Sequence, residues 1–242
     1  MRIGGCEFPD DLLYGLEENV WARRDPDGIV LGITSAHAFL AGRLTTVAFK
    51  PVGAVLERGK SVATIESPRF FGAVRTPFAG RLVDVNRELV DRPSLGSKHP
   101  YSRGWFAKLQ PLEGDPLDRL VRPEAARSGF RDLIAQLRIR CFSVLPDHEV
   151  SGIGGECPET LAALDELMQA GDDETVVHLV TDNPAADRDV PQWIATRRYA
   201  MLETRREGTL LHVLVGKRPL EAAAEGLQDP SRAHRTGFDA RT

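Results

Sequence analysis

The chain has 242 residues, of which 42% are hydrophobic and 27% charged, with a formal net charge of −4. This is the composition of a globular protein of one or two domains. The modest negative charge implies no general attraction to nucleic acid or to an anionic membrane. No stretch approaches the apolar length needed to span a bilayer, and the first residues, Met1 to Cys6, lack the apolar core of a signal peptide. A cytoplasmic protein with no nucleic-acid or membrane partner is expected. Three cysteines, Cys6, Cys141 and Cys157, are far apart and odd in number. That argues against a disulfide framework and fits a reducing compartment.

Residues 8–111 read mostly as short strands with frequent turns. A short helical segment through Leu40 follows Gly32-Ile33-Thr34-Ser35, with Ser35 as the expected N-cap. Residues 45–49 are β-branched and apolar, and Pro51-Val52-Gly53 and Arg58-Gly59-Lys60 are turns. Val62, Thr64 and Ile65 lead into Glu66-Ser67-Pro68-Arg69, and residues 73–78 follow, giving strand, tight tip, strand. Leu82, Val83 and Val85 make another strand. Such spacing suggests a small barrel or sandwich.

The run Leu13-Tyr14, Trp21, Gly32-Ile33-Thr34, Glu66-Ser67, Pro77, Gly80, Val85-Asn86, Pro93, Pro100-Tyr101 and Gly104-Trp105 resembles the glycine cleavage system H protein. The resemblance implies a flattened β-barrel of the lipoyl-domain kind, carrying lipoate on one lysine at a hairpin tip usually written Glu-Ser-Val-Lys. Here the tip is Glu66-Ser67-Pro68-Arg69. Lipoylation forms an amide with a transiently neutral amine, and an arginine, always protonated, cannot replace that lysine. Lipoate is therefore expected to be absent. The domain is then a scaffold, or a docking module in which Arg69 presents a cation.

Glu113-Gly114-Asp115-Pro116 breaks the pattern, and residues 117–140 place Leu133, Ile134 and Leu137 on one face of a connecting helix rich in arginine. The dense basic residues read more simply as a solvated face than as an anion patch. The two halves flanking this joint are expected to fold separately.

In the second half, residues 141–145 and 149–150 are candidate strands. A helix begins near Cys157 and ends at Gly171, a continuous strand covers residues 175–180, and a helix covers 185–198. A hairpin pairs residues 201–204 with 209–215 about Arg206-Glu207-Gly208. That order gives a two-layer α/β sandwich with both helices on one face. Gly154-Gly155-Glu156-Cys157-Pro158-Glu159-Thr160 places a cysteine where a glycine-rich loop becomes a helix, with Pro158 suited to the first helical position. Free backbone N–H groups and the helix dipole favour an anion there, and a thiolate is one. Glu159 opposes this, and a small buried cysteine that only packs is the simpler alternative. His178 and His212 fit packed or surface positions better than ligand positions. No cysteine or histidine spacing suits zinc, so no metal is expected. Cys6 and Cys141 sit in no motif.

Residues 150–217 resemble the TusA family of sulfur carriers. The family's cysteine followed by Pro-x-Pro stands here as Cys157-Pro158-Glu159-Thr160, with the second proline lost. Its second motif stands as Thr181-Asp182-Asn183-Pro184-Ala185-Ala186-Asp187-Arg188-Asp189-Val190-Pro191. The resemblance implies a persulfide on Cys157, with Pro158, Asp182 and Arg188 as motif neighbours. Arg188 orients the helix, faces an anionic sulfur species or forms a structural ion pair.

The expected organisation is an H-protein-like β domain over residues 1–112, a linker with a helix over 113–140, a TusA-like domain over 141–219 and a mobile tail over 220–242. The expected function is a sulfur relay. Its donor would be a desulfurase or rhodanese-type protein, its acceptor an unidentified protein, and it would have no cofactor. The alternatives are a non-catalytic adaptor and a glycine-cleavage carrier.

Overall fold

The computed structural model describes residues 1–112, 114 and 116–219. The expected tail, 220–242, lies outside the described residues, as do Glu113 and Asp115 of the joint. A short hairpin, β1 (Arg2–Ile3) and β2 (Cys6–Glu7), opens the chain. It is followed by β3 (Leu13–Gly15), β4 (Val20–Asp25), β5 (Gly28–Ile33), α1 (Ser35–Ala41), β6 (Thr46–Phe49), β7 (Val55–Leu56), β8 (Ser61–Ser67), β9 (Phe70–Arg75) and β10 (Gly80–Val85). Two one-turn helices, α2 (Glu88–Asp91) and α3 (Leu95–Lys98), precede β11 (Trp105–Pro111). A 3₁₀ turn at Pro116–Arg119 leads into α4 (Pro123–Gln136). The second unit contains β12 (His148–Gly152), α5 (Cys157–Ala170), β13 (Val176–Thr181), α6 (Ala186–Arg197), β14 (Ala200–Glu207) and β15 (Leu210–Gly216).

In the first unit a six-stranded sheet, ordered β3-β4-β5-β11-β10-β7, faces a three-stranded sheet, β6-β8-β9. Strand alternation explains why both faces of the larger sheet are covered. Val20, Ala22, Ile29, Leu31 and Ile33 point into the core between the sheets. Trp21 and Val30, one residue out of phase, point into a second core with Phe8, Tyr14, Ala36 and Phe130. Trp21 lies over Gly32 on the neighbouring strand, and a Cβ at position 32 would sit 2.4 Å from the indole. Only glycine fits that close approach.

Two local expectations are corrected. The N-cap of α1 is Thr34, whose Oγ1 accepts the His37 N–H at 3.1 Å. Ser35 instead donates its hydroxyl to the Glu7 carbonyl at 2.6 Å, tying the helix start to β2. Residues 141–145 are not a strand. Their polar groups go to side chains rather than to a ladder: Arg205 donates to the Cys141 carbonyl at 3.2 Å, and the Ser143 N–H donates to Glu203 at 2.6 Å.

The helix of the joint does not bridge solvent. Phe130 and Ile134 of α4 are buried in the second core of the first unit, with Ile139 and Cys141 just beyond. Cys141 forms a disulfide with Cys6, so the expectation of no disulfide is also corrected. The even pair was hidden by the third cysteine, Cys157, which is free.

The second unit is a four-stranded sheet ordered β12-β13-β15-β14, with β12 parallel to β13. Parallel neighbours require a crossover, and α5 provides it. Val177, Leu179, Val213 and Val215 pack beneath Leu164, Met168, Val190 and Ile194, so α5 and α6 cover one face of the sheet. The opposite face meets the first unit through Phe39, Phe142, Val176 and Leu214. Asp147, with a side chain 4% exposed, joins the units by ion pairs to Lys98 at 2.8 Å and Arg43 at 3.0 Å. Among the described residues, no helix is long and apolar enough to cross a membrane.

Candidate functional site

Cys157 is the first residue of α5, with Glu156 at the N-cap and Pro158 at the next position. Pro158 costs no hydrogen bond there, because first-turn N–H groups have no helical partner. The loop before it turns at Gly154, whose φ of +68° favours glycine. The second motif builds this loop. Asp182 accepts the Gly154 N–H at 2.8 Å, and the Asn183 amide donates to the Gly155 carbonyl at 3.3 Å. Asn183 also accepts the Ala185 N–H at 2.9 Å, which closes the turn into α6. Thus Asp182-Asn183 fixes both the path to Cys157 and the start of the facing helix.

Thr160 stands where the resemblance to sulfur carriers would place a second proline. Its N–H at 3.3 Å and its hydroxyl at 3.1 Å both donate to the Glu156 carbonyl. A proline offers neither donor.

Cys157 opens onto a groove of about 390 Å³ between α5 and α6, lined also by Pro158, Leu161, Asp189, Trp193 and Arg197. The residue itself is 8% exposed. Burial pushes the thiol above its ordinary pKa, and the facing Asp189 carboxylate pushes it further, while Arg188 pulls it down. The expected depressed thiol pKa is therefore not what the surroundings favour. Arg188 is highly exposed and donates through Nε to Asp189 at 2.8 Å, so its guanidinium engages the carboxylate beside the sulfur. This hydrogen bond holds the Asp189 carboxyl below its usual range. Asp189 is the groove residue that sequence reasoning missed. It lies inside the second motif, but nothing in the spacing alone aims it at Cys157.

Cys6 and Cys141 are bonded to each other, so neither serves as a reference thiol for Cys157. The comparison that remains is with Asp189 changed. Asp189→Asn is expected to lower the pH midpoint of Cys157 alkylation and to speed the reaction several-fold near neutrality. Stopped-time alkylation followed by mass spectrometry would check this. An unchanged pH profile would show that Asp189 does not control the thiol.

The first unit's candidate position lies elsewhere. Pro68 and Arg69 form the tip between β8 and β9. Arg69 folds back and donates to the Phe39 carbonyl at 2.9 Å, with its guanidinium against Gly42. Ser67 donates to the Ala41 carbonyl at 2.6 Å. A cation and a hydroxyl thus satisfy the carbonyl end of α1. Arg69 is engaged by its own fold rather than extended as an arm. Among the described residues, no group of three or more His, Cys, Asp or Glu side chains could hold a metal ion.

The model of the family described as glycine cleavage H-protein matches residues 12–132. The chain belongs to this family. A probable glycine cleavage system H protein 2 of Sulfurisphaera tokodaii is 38% identical over 143 residues, covering 58% of this chain and 97% of that protein. Glycine cleavage system H protein 5 of Aquifex aeolicus is 34% identical over 145 residues, covering 58% and 98%. A crystal structure of a glycine cleavage system H protein from Mycobacterium marinum is 29% identical and covers 51% of this chain and 99% of that one, at a TM-score of 0.44. The family match ends within α4, so the H-protein unit includes most of the helix expected to be a linker. The Cys157 groove lies beyond the matched residues.

Proposed function

We propose that the chain is a sulfur carrier in which an H-protein unit without lipoate is joined to a TusA-like unit loaded at Cys157. The carrying observation is the groove. A free cysteine at the start of α5 opens between two helices, on a loop held by Asp182 and Asn183. The TusA-like motif pair supports the same reading.

The chemistry is a redox-neutral exchange. The Cys157 thiolate attacks the outer sulfur of a donor persulfide, an S–S bond forms to Cys157, and the donor's inner sulfur leaves as a thiolate. The proton released from Cys157 ends on that departing thiolate. Transfer to the acceptor repeats the exchange with the roles reversed. Because burial and Asp189 favour the neutral thiol even with Arg188 in place, a docking donor must shift that balance, and a further cation brought up to Cys157 would do so. The donor is a desulfurase or rhodanese-type protein. The H-protein unit contributes a docking or scaffold surface away from Arg69.

The family match favours a second reading for the first unit, a carrier in glycine cleavage. Arg69 in place of the acceptor lysine weighs against it. One experiment separates the two. The intact mass of the full chain is measured after incubation with a desulfurase and cysteine, and after co-expression with a lipoyl ligase. Sulfur carriage gives a gain of one sulfur atom, mapped to Cys157 and abolished by Cys157→Ser. A lipoyl adduct with no sulfur gain would overturn the proposal in favour of the glycine-cleavage reading.

A further inference from the structure

On the sheet face away from α5 and α6, each strand of the second unit contributes one ionisable side chain to a single row. Glu149 on β12 lies 3.2 Å from His178 Nδ1 on β13. His178 Nε2 lies 3.0 Å from His212 Nδ1 on β15. His212 Nε2 lies 3.9 Å from Glu207 on β14. The histidine side chains are 5% and 1% exposed, and among the described residues His212 Nε2 has no hydrogen-bond partner.

A carboxylate only accepts hydrogen bonds, so Glu149 fixes the His178 proton on Nδ1. His178 Nε2 is then an acceptor, and His212 Nδ1–H donates to it. This leaves His212 Nε2 a bare acceptor, buried and turned toward a second carboxylate. It is the one ring position in the row that can take a proton and gain a partner by doing so. Glu207 is meanwhile engaged by Arg140 at 3.1 Å.

Arg140 begins the segment that joins the two units. Phe142 lies over the histidines, 4.6 Å from the His178 ring and 6.1 Å from the His212 ring. The Arg205 guanidinium sits 4.9 Å from the Phe142 centroid. Three polar ties therefore hold residues 140–143 against β14: Arg140 to Glu207, Arg205 to Cys141, and Ser143 to Glu203.

The geometry points to a one-proton switch on this seam, in which a proton taken up at His212 Nε2 draws Glu207 from Arg140 to His212 and loosens residues 140–143 from the sheet. Glu149 and Glu207 favour the imidazolium. Arg140, Arg205 and burial oppose it, and burial is the largest influence on both rings, so each titrates below the ordinary histidine range. A second proton would place two cations side by side, so the pair takes one. The sign follows from the depressed folded-state pKa. The neutral pair stabilises the fold fully above the ordinary histidine pKa, and this contribution is lost as pH falls through the lower folded value. The Cys6–Cys141 bond keeps the segment attached to the first unit in both states.

The test follows histidine ring nitrogens by NMR in the full chain, from mildly alkaline to mildly acid pH, with amide hydrogen exchange at the same points. Both rings are expected as Nδ1–H tautomers above neutrality, with His212 alone charging on acidification. Protection of residues 141–143 should fall with the same midpoint. Arg140→Ala removes the competitor for Glu207 and should raise that midpoint. Glu207→Gln should lower it and make protection at 141–143 insensitive to it. Both altered side chains are at least one-third exposed, so neither change empties the core. Protonation of His178 first, protection that does not follow His212, or an unmoved midpoint in Arg140→Ala would each overturn the switch.

Discussion

Reduction of the Cys6–Cys141 bond is expected to lower the unfolding free energy by about 2–5 kcal/mol. The bond joins residues 135 positions apart. In the chain-entropy account, a loop of that size gives about 5 kcal/mol, an upper value because the reduced unfolded chain retains some structure. Cys6 and Cys141 are fully buried, so reduction should be slow in the native state and fast once the chain unfolds. Denaturant titrations of the oxidised chain, the reduced chain and a Cys6→Ser/Cys141→Ser double variant measure the effect. Equal midpoints for oxidised and reduced protein would mean that the bond contributes nothing.

Phe130→Ala is expected to cost about 3–5 kcal/mol. The Phe130 ring is fully buried, stacked 4.0 Å from Phe8 and edge-on to Tyr14 at 5.3 Å. Its removal opens a cavity where α4, the first hairpin and β3 meet. Leu137→Ala, at a residue 41% exposed, is the control and should stay within about 0.5 kcal/mol. A small effect at Phe130 would mean that α4 is a detachable linker. A large one implies that a fragment ending at residue 115 exposes Phe8 and Tyr14 and does not fold well alone.

The sequence exposed what local chemistry determines. The start of α5 is legible in Pro158 and the apolar spacing after it, and the turn at Asp182-Asn183-Pro184 in its residue types. The tip at Pro68-Arg69 is likewise legible between two strand patterns. What remained hidden depends on residues far apart in the chain. The Cys6–Cys141 pair needed α4 to bring its end back to the first hairpin. The Glu149-His178-His212-Glu207 row exists only once four strands have their register. Asp189 meets Cys157 only when α6 lies beside α5. Thr34 rather than Ser35 caps α1 because Thr34 keeps the extended backbone of an N-cap while Ser35 is already the first helical residue, a one-residue boundary that residue types alone do not fix.

The close fit of Thr160 over Gly152 has a consequence for sequence variation in this unit. A Cβ at position 152 would lie 2.7 Å from the Thr160 hydroxyl oxygen and 2.8 Å from its methyl carbon. The two positions, eight apart in sequence, therefore constrain each other, and drift at one is limited by the identity of the other. A lineage that holds threonine at 160 is restricted to glycine at 152. A lineage with proline at 160 would lack both donors to the Glu156 carbonyl. Substitutions at these sites should appear as correlated pairs rather than singly.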